Sequence, residues 1–154
     1  NYLSHIFLES FKQEALQLVY DVYSKDYFSI SDLSRASMQK LIEYFELDKN
    51  LISYDISSLN IFGSSSERVL NTVLKLGGKT YITGHGARKY LDHKIFQKKN
   101  IEVKYMKYQK LPYPQKYGEF NPYVSSLDLV ANCGKEGKNY LVSEAINWKI
   151  FLNH

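Results

Sequence analysis

The sequence predicts an α/β protein with a small, mostly parallel sheet flanked by helices, Rossmann-like, and with an N-terminal helical segment. Two observations predict this fold class. Before residue 50 the apolar residues recur only at helical spacing, and from residue 51 onward short strand-like segments alternate with helical ones. Strands that alternate with helices favour parallel pairing through right-handed crossovers. The 154 residues have the length of one domain, so we expect a single α/β domain over 1–154.

Two amphipathic helices are predicted before residue 50. Over residues 4–23 the apolar positions share one helical face. Over residues 29–47 a second apolar stripe follows the pattern Ser29-x-x-Asp32, which resembles a capping box. We expect both helices to serve as scaffold.

The patterns of residues 51–56 and 79–83 are typical of strands, and the helix between them starts at Ser64 and ends at Gly77-Gly78. Four apolar residues at helical spacing form its expected buried stripe: Val69, Leu70, Val73 and Leu74. The later elements are predicted in the order helix 86–91, helix 92–99, strand 101–105, helix 125–134 and a final helix over 135–154. Between them, residues 106–123 form a long proline-containing loop, and loops of that length often carry function.

The composition is that of an ordinary soluble protein, with 44% hydrophobic and 23% charged residues. No apolar run approaches the ~20 residues that span a bilayer, and no basic segment followed by an apolar one opens the chain. The single cysteine, Cys133, cannot form an internal disulfide, which fits a reducing compartment. We therefore expect a cytoplasmic protein without a transmembrane segment.

The net charge of +4 reflects lysines that recur through the second half of the chain. This excess favours an acidic small-molecule ligand such as a nucleotide, although a solvated lysine-rich surface explains it as well. A nucleic-acid partner is the weaker interpretation, because the chain has neither a compact arginine cluster nor an RNA-binding motif. The chain begins at Asn1 rather than at methionine, and we expect a fragment or a processed form of a longer chain.

A serine-rich loop follows the first predicted strand and leads into a helix start. Its hydroxyls and the N–H groups of the helix start are suited to holding a phosphate, and an arginine one turn later can donate to the same anion. The residues assigned to this role are Ser57, Ser58, Ser64, Ser65 and Arg68. The alternative is that Ser64 only caps the helix and that the other polar side chains are solvated.

The second predicted strand ends in Thr83-Gly84-His85-Gly86, where two glycines let the backbone approach a ligand closely. His85 is a candidate general base or hydrogen-bond donor near neutral pH, and the alternative is a solvated histidine in a turn. The motif is too short for a dinucleotide fingerprint. The chain has no Walker A motif and no Cys/His metal spacing, so no metal site is predicted.

Asp128, at the start of a predicted helix, is the carboxylate best suited to accept protons or hydrogen bonds from a substrate amine. The alternative is a structural capping box with Ser125. Tyr113 and Gln115 lie on the long loop and are candidates for lining a sugar or base pocket. Tyr113 would equally suit the edge of the core, because tyrosine covers apolar area while its hydroxyl stays in contact with polar partners.

Four segments in this order resemble the WbqC-like protein family: 81–92 (YITGHGARKYLD), 101–105 (IEVKY), 113–120 (YPQKYGEF) and 125–134 (SSLDLVANCG). The positions that match its motifs are Thr83, Gly84, Gly86, Tyr90, Leu91, Tyr113, Pro114, Gln115, Phe120, Pro122, Ser126, Asp128, Asn132 and Gly134. The family's opening segment, rich in Gln-Pro-x-Tyr, has no counterpart in this chain. The chain therefore resembles the C-terminal portion of the family pattern.

The resemblance implies a transferase of surface polysaccharide or O-antigen biosynthesis, which transfers an amino acid, glycine, to the amine of a nucleotide-linked amino sugar. Its small-molecule partners would be a nucleotide sugar and an amino acid, and Ser126 joins the substrate-binding residues through its motif position. The cofactor is left open, with ATP as the candidate. The alternative is a non-catalytic nucleotide-sugar-binding or assembly module of the same pathway.

Overall fold

The computed structural model describes residues 10–47, 52 and 55–153. The described elements follow in the order α1 (Lys12–Tyr23), α2 (Ile30–Phe45), α3 (Ser65–Lys75), β1 (Thr80–Thr83), α4 (His93–Lys98), β2 (Glu102–Tyr108), α5 (Ser126–Cys133), β3 (Ser143–Asn147) and α6 (Trp148–Leu152). Three short 3-10 helices are added at Ile56–Leu59, His85–Lys89 and Gly134–Tyr140. This part of the chain is a mixed α/β structure. No helix formed by it combines the length and the apolar character needed to span a lipid bilayer.

The chain divides into two compact units. We call residues 1–51 and 110–142 the helical unit, and residues 52–109 and 143–154 the sheet unit. Each unit has its own cluster of buried apolar side chains. The single domain over 1–154 stays a prediction.

The helical unit packs α1 and α2 against α5 and the 3-10 helix that follows it. Its buried centre consists of Ala15, Phe45, Leu129, Val130 and Ala131. α2 begins where predicted, because the Ser29 side chain accepts a hydrogen bond from the Asp32 backbone N–H over 3.2 Å. The first predicted helix is confirmed from Lys12 onward, and residues 4–9 of that prediction lie outside the described residues.

The sheet unit contains three strands in the order β1-β2-β3 among the described residues. β1 pairs in parallel with β2, from Thr80 opposite Glu102 to Thr83 opposite Tyr105. β2 continues beyond this pairing and pairs antiparallel with β3. The core of the unit lies between this sheet and helices α3 and α4, with Leu70, Val73, Phe96, Val103 and Tyr105 buried.

The sheet corrects one part of the predicted fold class. It has three strands and is mixed rather than mostly parallel, and it does not establish a Rossmann-like arrangement. The source of the error is the C-terminal stretch predicted as a helix over 135–154, which contains the strand β3 and only a short helix, α6. The sequence Ser-Glu-Ala-Ile-Asn has little intrinsic strand preference, and it becomes a strand by pairing with the open edge of β2.

Half of the strand predicted over 51–56, namely residues 51, 53 and 54, lies outside the described residues. Its last residue, Ile56, begins a 3-10 helix instead. The cause is local, because the Asp55 carboxylate accepts a hydrogen bond from the Ser57 backbone N–H over 2.9 Å and so favours a turn.

The helix predicted from Ser64 is α3, with Leu70 and Val73 buried in the core. The predicted burial of Leu74 is wrong, since that side chain is 42% exposed. The helix ends as predicted at Gly77, whose φ of +67° favours glycine, and the Gly78 N–H closes the last turn on the Val73 carbonyl over 2.8 Å.

Candidate functional site

Asp128 lies in the first turn of α5, and its carboxylate accepts hydrogen bonds from the loop that precedes this helix. The Tyr113 hydroxyl donates to Oδ2 over 2.9 Å and Gln115 Nε2 donates to the same oxygen over 3.0 Å. The helix is capped separately, because the Ser125 hydroxyl oxygen accepts from the Leu127 N–H over 3.2 Å. The carboxylate therefore interacts with loop side chains that the sequence had already singled out.

Tyr113 combines a packing role with a polar one. Its ring makes edge contacts with Phe120 and Tyr140, with centroids 5.2 and 5.7 Å away. Burial raises the pKa of the Tyr113 phenol well above its usual range, the hydrogen bond to Asp128 raises it further, and the one from Gln115 opposes this. The phenol therefore stays protonated at neutral pH and keeps donating to the carboxylate.

Gln115 fixes the long loop to this centre. Its Nε2 donates to the Asn121 carbonyl over 3.0 Å, and its Oε1 accepts from the Asn121 N–H over 2.8 Å. The same Nε2 lies 3.3 Å from the Tyr113 hydroxyl. The Gln115 amide thus contacts the Asn121 backbone, the Tyr113 hydroxyl and the Asp128 carboxylate, so the loop holds the carboxylate in place.

Asn132 lies one turn after Asp128 on α5 and is only 8% exposed. Its Nδ2 donates to the Asp128 carbonyl over 2.7 Å. Its buried Oδ1 accepts no hydrogen bond from any residue that the structure describes. A buried acceptor without a donor costs about 1–3 kcal/mol, so Oδ1 lowers the stability of the folded state. The sequence matched Asn132 to a family motif but indicated no role for it.

Cys133 follows directly, and burial together with the negative charge of Asp128 raises the pKa of its thiol. The thiolate is the nucleophilic form of cysteine, so this environment disfavours a role for Cys133 as a nucleophile.

In the sheet unit, His85 is tied to strand β2. Its Nε2 lies 2.7 Å from the Met106 carbonyl, which can only accept, so Nε2 carries the proton. This carbonyl comes one residue after Tyr105, the last residue of β2 that pairs with β1. The ring also packs on Phe151 with a centroid distance of 4.8 Å. In the neutral ring Nδ1 is then the acceptor, and the predicted role of His85 as a general base would require that atom.

The neighbouring residues of the predicted turn have few constraints from the fold. Thr83 Oγ1 accepts from the Tyr81 hydroxyl over 3.2 Å. Neither Gly84 nor Gly86 has a positive φ, and a Cβ at either position would meet no atom within 4 Å. The fold itself does not require glycine at these two positions, and the close approach of a ligand stays a prediction.

The serine-rich loop is largely engaged in its own turns. The Ser57 hydroxyl donates to the Asp55 carboxylate over 2.6 Å, and the Ser58 hydroxyl donates to the Asp55 carbonyl over 2.7 Å. Ser64 occupies the N-cap position of α3 without a side-chain capping bond. Glu67 lies in the first turn of the same helix, where its negative charge would oppose a bound anion. Phosphate binding by this loop, including by Ser65 and Arg68, stays a prediction.

Ser66 is the residue of this segment that the sequence reasoning missed. It is 8% exposed, its hydroxyl donates to the Tyr90 carbonyl over 3.1 Å, and the same oxygen accepts from the Asp92 N–H over 2.9 Å. Ser66 therefore holds the segment after β1 against the start of α3. No local sequence pattern distinguishes Ser66 from the exposed serines beside it, Ser64 and Ser65.

Of the predicted site residues, the structure brings together Asp128, Tyr113 and Gln115 in the helical unit. Ser126 is in the same unit, exposed in the first turn of α5. The residues assigned to phosphate binding and to the glycine turn lie in the sheet unit. Among the described residues, no group of three or more His, Cys, Asp or Glu side chains is arranged to hold a metal ion.

The fold and this centre define a mixed α/β protein in which a half-buried carboxylate is held by a proline-containing loop. The chain belongs to the WbqC-like protein family, whose pattern matches residues 8–140. It is also 30% identical over 115 residues to the uncharacterized protein Rv1507c of Mycobacterium tuberculosis (strain ATCC 25618 / H37Rv). That match covers 73% of this chain and 48% of the relative, so the chain spans about half the relative's length. No solved structure matches the chain.

Proposed function

We propose that this chain is part of an enzyme of surface polysaccharide biosynthesis that joins an amino acid, glycine, to the amine of a nucleotide-linked amino sugar. The family resemblance suggests this class of reaction. The observation that carries the proposal is the Asp128 carboxylate, whose Oδ2 accepts hydrogen bonds from both Tyr113 and Gln115. A carboxylate held in this way has a defined orientation toward a ligand.

The chemistry requires such a group because only a neutral amine attacks an acyl carbon, and a sugar amine is largely protonated at neutral pH. Asp128 accepts the proton of the ammonium group, and the nitrogen lone pair then forms the new C–N bond. The acyl donor is an aminoacyl group activated as an oxygen ester or an acyl phosphate. Its C–O bond breaks, the alkoxide or phosphate leaves with the electron pair, and the leaving oxygen takes up the second proton that the nitrogen loses as the amide forms. Activation of this donor is the step at which ATP would be consumed.

The two hydrogen bonds to Oδ2 also determine which carboxylate oxygen would serve the amine. Both bonds from the described side chains reach Oδ2, so Oδ1 is the atom for the substrate. Tyr113 and Gln115 act as positioning residues in this scheme, because they touch the carboxylate rather than the reacting atoms.

The decisive experiment compares two variants of the full-length protein in an assay for amide formation, with a nucleotide-linked amino sugar and an activated glycine donor. Asp128→Asn keeps the shape of the side chain and an acceptor oxygen for Tyr113 and Gln115, so it should lower kcat by about 10²- to 10⁴-fold while the free energy of unfolding falls by no more than about 1–3 kcal/mol. The matched control, Ser125→Ala, removes the cap of the same helix and should cost about 1 kcal/mol of stability while turnover is retained. Equal losses of stability in both variants, with turnover falling in proportion, would assign Asp128 a structural role.

The second candidate is a non-catalytic module that binds a nucleotide sugar. It is favoured by the fact that Asp128 already accepts two side-chain hydrogen bonds, as fixed binding groups commonly do. This candidate predicts that the full-length protein binds nucleotide sugars but forms no amide with any activated donor, and that Asp128→Asn weakens binding alone.

A further inference from the structure

Tyr123 presents an aromatic ring to solvent on the same loop that supports Asp128. The side chain is 79% exposed, yet several contacts hold it. Its backbone N–H donates to Asn121 Oδ1 over 2.9 Å, and Lys110 Nζ donates to its hydroxyl. The same ammonium lies 4.2 Å from the centre of the ring. The ring is therefore oriented without being buried.

The contacts continue from this ring to the candidate carboxylate. Asn121, which positions Tyr123, has both its N–H and its carbonyl bound by the amide of Gln115. The same amide donates to Asp128. Hydrogen bonds thus connect the Tyr123 backbone to Asp128 through two intermediate residues, Asn121 and Gln115, all within the helical unit.

Packing of the core does not explain why the Tyr123 ring is oriented, because the ring is exposed. Ordering a side chain has an entropic cost, and Tyr123 recovers little of it through apolar burial. Exposed aromatic rings next to cations are a recurrent way to bind nucleotides, because any base can stack on the ring while the cation attracts phosphate.

We propose that the Tyr123 ring is the stacking surface for the base of a nucleotide ligand, with Lys110 interacting with its phosphates. This inference deepens the proposed function, since it depends on the substrate being nucleotide-linked. It also assigns Gln115 a second role, as the residue that sets the position of the base relative to the carboxylate.

The test is a calorimetric titration of the full-length protein with uridine 5′-diphosphate, thymidine 5′-diphosphate and inorganic pyrophosphate. Tyr123→Ala should weaken binding of the two nucleotides by about 5- to 150-fold and leave pyrophosphate binding unchanged. Tyr123→Phe keeps the ring but loses the hydroxyl that Lys110 binds, so its affinity for the two nucleotides should lie between those of the parent and of Tyr123→Ala. Lys110→Met should weaken all three ligands, because it removes the charge that attracts phosphate.

The matched control is Tyr20→Ala on α1, another exposed tyrosine at 67%, which should bind like the parent. Circular dichroism confirms that each variant is folded. Absence of nucleotide binding in the parent overturns the inference, and so does a Tyr123→Ala variant that binds nucleotides as the parent does or loses pyrophosphate equally. Binding is measured without turnover, so a missing amide product would refute the proposed reaction and leave this result standing.

Discussion

Gln115 Nε2 donates a hydrogen bond of 3.0 Å to Asp128 Oδ2, thirteen residues later in the chain. The bond connects the middle of the long loop to the first turn of α5. Gln115 also binds the backbone N–H and the backbone carbonyl of Asn121. The order of the loop and the orientation of the carboxylate therefore depend on the same side chain.

Replacing Gln115 with Ala should loosen this loop. The change removes the bonds to Asn121 and to Asp128, and a hydrogen bond to a charged group contributes about 1.5–3 kcal/mol. We expect amide hydrogen exchange over residues 116–124 to accelerate by about tenfold or more, while exchange in α1 and α2 is unchanged. The control Gln39→Ala removes an exposed bond within α2 and should leave the loop's exchange as in the parent. Unchanged exchange in Gln115→Ala would contradict the role of this amide.

Replacing Asn132 with Leu should maintain or raise stability. The substitution removes the buried Oδ1 that no described residue satisfies, and such an unsatisfied acceptor costs about 1–3 kcal/mol. The free energy of unfolding from urea titration is the measurement. A loss of stability would show that the bond from Asn132 Nδ2 to the Asp128 carbonyl contributes more than the unsatisfied Oδ1 costs. A stability gain accompanied by reduced turnover would indicate that Asn132 is kept for function.

The glycines of the chain should differ sharply in their tolerance of alanine. At Gly134 the φ is +57° and an added Cβ would lie 2.6 Å from the Phe11 ring, so Gly134→Ala should lose about 2–4 kcal/mol. Gly86→Ala meets no atom within 4 Å and should be close to neutral in stability. Urea unfolding of both variants checks this difference. If Gly86→Ala nevertheless weakens ligand binding, the predicted close approach at the glycine turn is supported.

The stability of the sheet unit should decrease in mild acid because of His93. This side chain is 7% exposed, lies 2.9 Å from the Tyr105 hydroxyl and stacks on Trp148 at 4.6 Å. Burial lowers its pKa from the ordinary 6.5, and the charge of Asp92 opposes this only in part. Below that ordinary value the unfolded chain binds a proton that the folded protein does not, so the free energy of unfolding falls as the pH decreases.

The measurement is a series of urea titrations between about pH 5 and pH 7.5, which brackets the ordinary histidine pKa. His93→Gln keeps a polar partner for Tyr105 and cannot be protonated, so its stability should depend less on pH in this range. If the stability of His93→Gln depends on pH as strongly as that of the parent, other groups cause the loss of stability in mild acid.

Several features could be predicted from the sequence because they depend on residues within one helical turn. Ser29 and Ser125 accept backbone hydrogen bonds at the starts of α2 and α5, and Gly77 ends α3, as their positions indicated. The capping box proposed for Asp128 failed, however. Short-range spacing could not reveal that this carboxylate accepts hydrogen bonds from Tyr113 and Gln115 of the preceding loop.

Local sequence patterns predicted the starts of α2 and α5, the end of α3 and the parallel pairing of β1 with β2, and the ordered motifs indicated the WbqC-like family. The packing of distant parts of the chain set two features that these patterns missed: β3 extends the sheet antiparallel to β2, and Tyr113 and Gln115 converge on Asp128. The physical reason is the range of the interactions. Caps and glycine turns depend on neighbouring residues, whereas strand pairing and the contacts of a long loop depend on where packing places distant parts of the chain.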